Sequence, residues 1–236
     1  MEERSLEKSG GIMIVHCFSE AEAREIMAGR VLGKKEAEPA WWKPFNPGVP
    51  FPETPEVPYS RECLDAHRAT HILVFGFPRM PDGKPFSIVN LYRWFNMRQN
   101  GICFSSLGLS AGEENEWTLR PPRRGWWLIR KEVYPDGALL GASCIACDAF
   151  AEASGWKVPY VADAVYAAAF WQLVTGERLL RHHCTWCADV LPDGRRLRVG
   201  YNQPPHGFHL FSRPADDRND GDRGLMPIVP PDLQAP

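Results

Sequence analysis

The sequence predicts an α+β fold in which an antiparallel sheet of at least three hairpins packs on one long apolar helix and several shorter helices. Three observations carry this expectation. The tripeptide Pro-Asp-Gly recurs at Pro81, Pro135 and Pro192, each time beside strand-like sequence. The stretch from Pro159 to Thr175 is apolar nearly all round, with Asp163 and Gln172 almost its only polar side chains. Proline (22) and glycine (20) are both frequent in 236 residues, which favours many short elements joined by turns over a few long helices.

Each Pro-Asp-Gly turn has its own chemistry. Proline presets φ at the second position, aspartate bonds back to the following backbone, and glycine accepts positive φ. The flanks read as strands: His71 to Phe77 before the first turn, Trp126 to Val133 before the second, and Cys184 to Val190 and Arg196 to Tyr201 on either side of the third. The long apolar segment carries proline at its start and Gly176 as its stop, so it is expected to be a central helix.

At the other end, Ile12 to Phe18 is an apolar run that reads as a strand, and Ser19 with Glu22 forms a capping box opening a helix that ends at Gly29. A short helix is expected near Arg61 to Ala69, and a weaker one over Asp148 to Ser154. Residues 39–58 hold seven prolines together with Trp41, Trp42, Phe45 and Phe51, and are expected to wrap over the core in extended form. The whole chain, 1–236, reads as one domain, with 213–236 a surface loop and tail.

A net charge of −2 supplies no global field to draw nucleic acid or an anionic membrane to the surface, so neither is the expected partner. No segment approaches the roughly 20 apolar residues of a membrane span. Met1 to Gly11 is charged and lacks a signal-peptide core, which points to the cytoplasm. Seven cysteines in such a chain read as thiols.

Three patterns bear on chemistry. Cys144 with Cys147 and Cys184 with Cys187 form two CxxC pairs, the ligand type of a tetrahedral zinc site. The last two fall in an expected strand, where residues three apart point to opposite faces, so core thiols are the expected reading. Zinc is the one cofactor the pattern would accommodate, and otherwise none is expected. Gly108-Leu109-Ser110-Ala111-Gly112 matches a nucleophile elbow with Ser110 as nucleophile; Asp163 or Asp189, then His206 or His209, would complete the order. The short segment after it, stopped by Pro121, is not the helix that elbow requires.

The third pattern is aromatic. Nine tryptophans, with Trp126 and Trp127 adjacent, place one ring of that pair on each face of a strand. One face is then a second buried layer or an exposed patch. Trp126, Trp127 and Trp186, with Arg196 and Arg198, form the expected binding surface for an unknown protein or small ligand. Cys63, His67 and His71 recur every four residues, but His71 opens the expected strand and leaves the helix face, so partly buried histidines are expected there. The sequence thus favours a non-catalytic binding domain; the alternative is a hydrolase using Ser110 or a metal on Cys and His.

Overall fold

The computed structural model describes residues 17–44, 51–98, 116–133, 139–201, 208–218 and 223–231. These build seven α-helices and eight strands in two mixed four-stranded sheets, in place of one antiparallel sheet. The first sheet has the order β1-β2-β3-β8 and the second β6-β5-β4-β7.

Ser19 caps α1 (Glu20–Ile26), with both halves of its capping box to Glu22 formed. The chain then runs through β1 (Val31–Leu32) and α2 (Lys34–Ala37). Next comes a π-helical turn over Glu38–Trp42, where an extended segment was expected. Pro39 is tolerated there because the first turn of a helix needs no N–H from it. Trp41 is buried against the rings of Phe86, Tyr166 and Phe170, 4.2 to 5.7 Å away. Phe51 packs edge-on to Phe77, so this proline-rich stretch does lie on the core.

After α3 (Arg61–His67), strand β2 (His71–Gly76) occupies the middle of the first sheet, buried along its whole length. It runs parallel to β1 and antiparallel to β3 (Gly125–Arg130), with Phe75 opposite Trp126 and Gly76 opposite Gly125. The first Pro-Asp-Gly turn follows β2 but closes only an isolated bridge between Arg79 and Pro85 before α4 (Ile88–Arg98) begins. It therefore joins no two strands of a sheet. The second such turn lies outside the described residues, as does all of the strand expected over 12–18 except Cys17 and Phe18, of which Phe18 makes only an isolated bridge to Val57. α5 (Glu116–Leu119) leads into β3.

The third Pro-Asp-Gly turn connects β4 (Cys184–Val190) to β5 (Arg196–Tyr201) as a hairpin, with Leu191 N–H donating to Arg195 O and Gly194 at φ 81°. β6 (Phe208–Arg213) pairs antiparallel along the other side of β5. Residues 223–229, expected as surface tail, are instead buried. They supply β7 (Arg223–Gly224), parallel to β4, and β8 (Ile228–Val229), antiparallel to β3. Apolar area removed from water contributes about 25 cal/mol per Å², which favours burying Leu225, Met226, Ile228 and Val229.

Between the sheets runs α7 (Val161–Thr175), with every residue from Val161 to Trp171 buried and Gly176 closing it in the left-handed region at φ 76°. Tyr166 Oη donates to Phe75 O of β2 while α7 also packs on β4 and β5, so the helix touches both sheets. A circumference that is apolar nearly all round is best satisfied between two layers. α6 (Cys144–Ala153) starts four residues earlier than expected, on a Ser143 cap, and covers the opposite face of the second sheet. Among the described residues no helix is long and apolar enough to cross a membrane.

Candidate functional site

The two faces of the second sheet divide its chemistry. One face packs Cys187, Leu197, Val199, Phe208 and Leu210 into the main core with α7. The other carries Trp186, Arg198 and Phe211 as one cross-strand row, Trp186 opposite Arg198 and Arg198 opposite Phe211. Two positions along, Arg196 faces Arg213, and Gly200 faces His209. Arginine and aromatic side chains therefore alternate on this outer face.

The guanidinium of Arg198 sits 4.7 Å from the Phe211 ring centre, and that of Arg223 sits 5.8 Å from the Trp186 ring. Such cation-π contacts are worth about 0.5 to 2 kcal/mol, more when desolvated, and both arginines are buried. Arg196 forks onto Asp148 of α6, at 3.0 and 3.1 Å, and its Nε donates to Cys187 O. Arg223 pairs with Asp217 at 3.0 Å. His209 and Phe211 stack with ring centres 4.8 Å apart and stay half-buried, and Arg213 is exposed.

The expected tryptophan surface is corrected here. Trp126, Trp127 and Trp186 are all buried, 3%, 2% and 0% exposed. Each indole N–H finds an internal carbonyl: Trp126 donates to Pro55 O, Trp127 to Arg123 O and Trp186 to Ala142 O. Large rings with their one donor satisfied contribute packing. The outward part of the face belongs to β6 instead, through His209, Phe211 and Arg213. The signal for it was in the sequence, as the alternation His209-x-Phe211-x-Arg213.

The candidate acids are engaged elsewhere. Asp163, 1% exposed, accepts from the N–H of Arg123 at 2.8 Å, from its Nε at 2.9 Å and from the N–H of Tyr160 at 3.1 Å. Asp189 accepts from the N–H of Val161 at 2.6 Å and from Arg120 at 2.9 Å. Burial pushes the Asp189 carboxyl up, opposed by that N–H and by Arg120. Both carboxylates close the N-terminus of α7, and Arg120 stacks 4.0 Å over the Tyr160 ring beside them. His209 lies on the sheet face turned away from α7, so it does not meet Asp163. Ser110, Gly108, Gly112 and His206 fall outside the described residues.

No family model, curated protein or solved structure matches this chain. Its chemistry is read from its own geometry.

The thiols divide in the same way. Cys144 and Cys147 occupy the first turn of α6, in a small core with Trp186 and Leu225, whereas Cys187 lies in the main core across the sheet. Cys144 Sγ donates to Ala215 O at 3.2 Å. Burial pushes the Cys147 thiol up to about 12 and the Cys187 thiol well above its ordinary value, with Cys144 raised too. Among the described residues no three His, Cys, Asp or Glu side chains converge as a metal site would require.

Since the thiolate is the form that reacts with alkylating agents, those raised values have a consequence. In native protein at pH 8, iodoacetamide is expected to modify the exposed Cys17 and, more slowly, Cys63, leaving Cys144, Cys147, Cys184 and Cys187 unlabelled until denaturant is added. Peptide mass spectrometry reads this out. Rapid native labelling of Cys144 would mean an activated thiolate at the start of α6.

Proposed function

We propose that this chain is a non-catalytic binding protein whose contact surface is the outer face of the second sheet along β6, and that its partner is an acidic protein surface. The observation that carries the reading is the row Trp186–Arg198–Phe211, in which buried guanidinium groups hold the aromatic rings that reach the surface. Four arginines, 196, 198, 213 and 223, share this face; Arg196 pairs with Asp148, and Arg213 and Arg223 pair with Asp217. Aromatic side chains and arginine are the residue types over-represented where interfaces bury their anchors.

The expected acids support the same reading, because Asp163 and Asp189 are committed to the helix end of α7. The thiols suit a reducing compartment, and we place the protein in the cytoplasm. No metal enters the reading.

Photo-crosslinking tests it. A benzophenone amino acid at position 211 is expected to capture one discrete partner, and the same group at position 62 on α3 none. Phe211→Ala with Arg213→Glu is expected to lower capture about tenfold or more while the chain stays folded, the melting temperature falling by several degrees as the Arg198–Phe211 contact is lost. Equal capture from both positions would overturn the surface, and labelling of Ser110 by a fluorophosphonate probe would favour the hydrolase.

A further inference from the structure

We propose that His67 and His71, packed ring against ring where α3 meets β2, form an acid-operated latch that releases α3 and the Trp156 segment from the first sheet as pH falls below neutral. His71 is 1% exposed and begins β2 opposite Arg130, the last residue of β3. Its Nδ1 lies 2.8 Å from Thr70 Oγ1, while its Nε2 is buried with no hydrogen-bond partner. The ring of His67 stands perpendicular to it, centre to centre 4.6 Å. His67 Nδ1 lies 2.8 Å from Cys63 O and donates to it, which leaves the other ring nitrogen as an acceptor while that imidazole is neutral. The Trp156 indole closes over both histidines, 6.3 and 6.5 Å away.

Neutral imidazoles fit this arrangement and imidazolium does not. A second N–H on His71 would be a buried donor, and its charge would face His67 and Arg130, the two groups that oppose it. His67 stands on α3 and Arg130 on β3; ahead of β1, Arg30 donates to the Arg68 carbonyl. Lys157 follows Trp156 and Lys131 follows Arg130. Of the carboxylates nearby, Asp65 pairs with Arg68 and Glu177 with Lys131, while Glu62 on α3 and Glu132 after β3 are exposed. Burial first, then His67 and Arg130, lower the pKa of His71 to about 3.

The sign follows from linkage. A histidine whose folded-state value lies below its unfolded value near 6.5 stabilises the closed form fully above pH 6.5, and loses that contribution as pH falls toward 3. Because His71↔Arg130 is the terminal pair of the β2–β3 ladder, opening there leaves the pairs from Ile72 to Gly76 intact. The latch therefore opens locally, freeing α3 and Trp156, which also packs on Phe150 of α6.

Hydrogen exchange, corrected for intrinsic rates, tests this on the whole chain. Between pH 8 and pH 5 the opening equilibrium of segments 61–71 and 156–158 is expected to rise about 30-fold while that of 72–76 and 184–200 changes little. His71→Phe should abolish the rise. Persistence of the rise in that variant, or its absence from the native protein, overturns the latch. Should His71→Phe fail to fold, histidine NMR decides on the native chain: His71 is expected not to titrate in the closed form above pH 5, and a midpoint near 6.5 would sink the proposal.

Discussion

Gly76→Ala is expected to destabilise the fold by about 3 kcal/mol or more. A Cβ built on Gly76 would sit 1.6 Å from Arg123 O and 2.8 Å from its carbonyl carbon. Main chain is what stands in the way, and main chain cannot rotate aside as a flexible side chain can. The same carbonyl accepts the indole N–H of Trp127, and Arg123 is the partner of Asp163, so displacing it disturbs the β2–β3 edge and the start of α7 together. For a chain of this size about 3 kcal/mol lowers the melting temperature by roughly 10 °C. Thermal and urea denaturation of the variant measure it; a melt unchanged within about 2 °C would mean that the segment before β3 does not cross β2 at Gly76.

The second large effect is expected at the Arg123–Asp163 pair. Asp163→Ala removes the acceptor of three donors at the N-terminus of α7 and leaves the Arg123 guanidinium, about a third exposed, without its buried counter-ion. Breaking a fully buried pair costs about 3 to 5 kcal/mol, and the partial exposure of Arg123 brings the expectation to about 2 to 4 kcal/mol. Arg123→Ala should cost less, because the Asp163 carboxylate keeps the N–H of Tyr160. The double variant should be less destabilised than the sum of the two single ones, by about 1 kcal/mol or more. Strict additivity in this cycle would show that the two side chains act independently.

Much of this architecture was legible where local chemistry decides. The Ser19–Glu22 box starts α1, and the third Pro-Asp-Gly turn makes the β4–β5 hairpin, because caps and tight turns depend on a few neighbouring side chains. What the sequence hid was set by partners far along the chain. β1, β7 and β8 are two residues long, too short for any alternation to register, and two of them pair in parallel with distant strands. The first Pro-Asp-Gly turn is chemically the same as the third but is followed by α4, so a turn alone did not make a hairpin.

The candidate site was half legible for a related reason. Arg196, Arg198 and Trp186 do share one sheet face, as period-two alternation requires. Their burial was not legible, because it comes from α6 and from residues 215–217 folding over that face. The pairing of Trp126 and Trp127 left open whether the second face was covered; the segment around Pro55 covers one side and the Arg123 backbone lies against the other.

Residues 223–229 also impose an order of events. That short stretch delivers one strand to each sheet, β7 to the second and β8 to the first. A chain emerging from its N-terminus therefore holds two incomplete sheets at once, and both gain their fourth strand in the same few residues of synthesis. Until then the edges of β3 and β4 lie bare on the nascent polypeptide, which is where a chaperone would have most to shield.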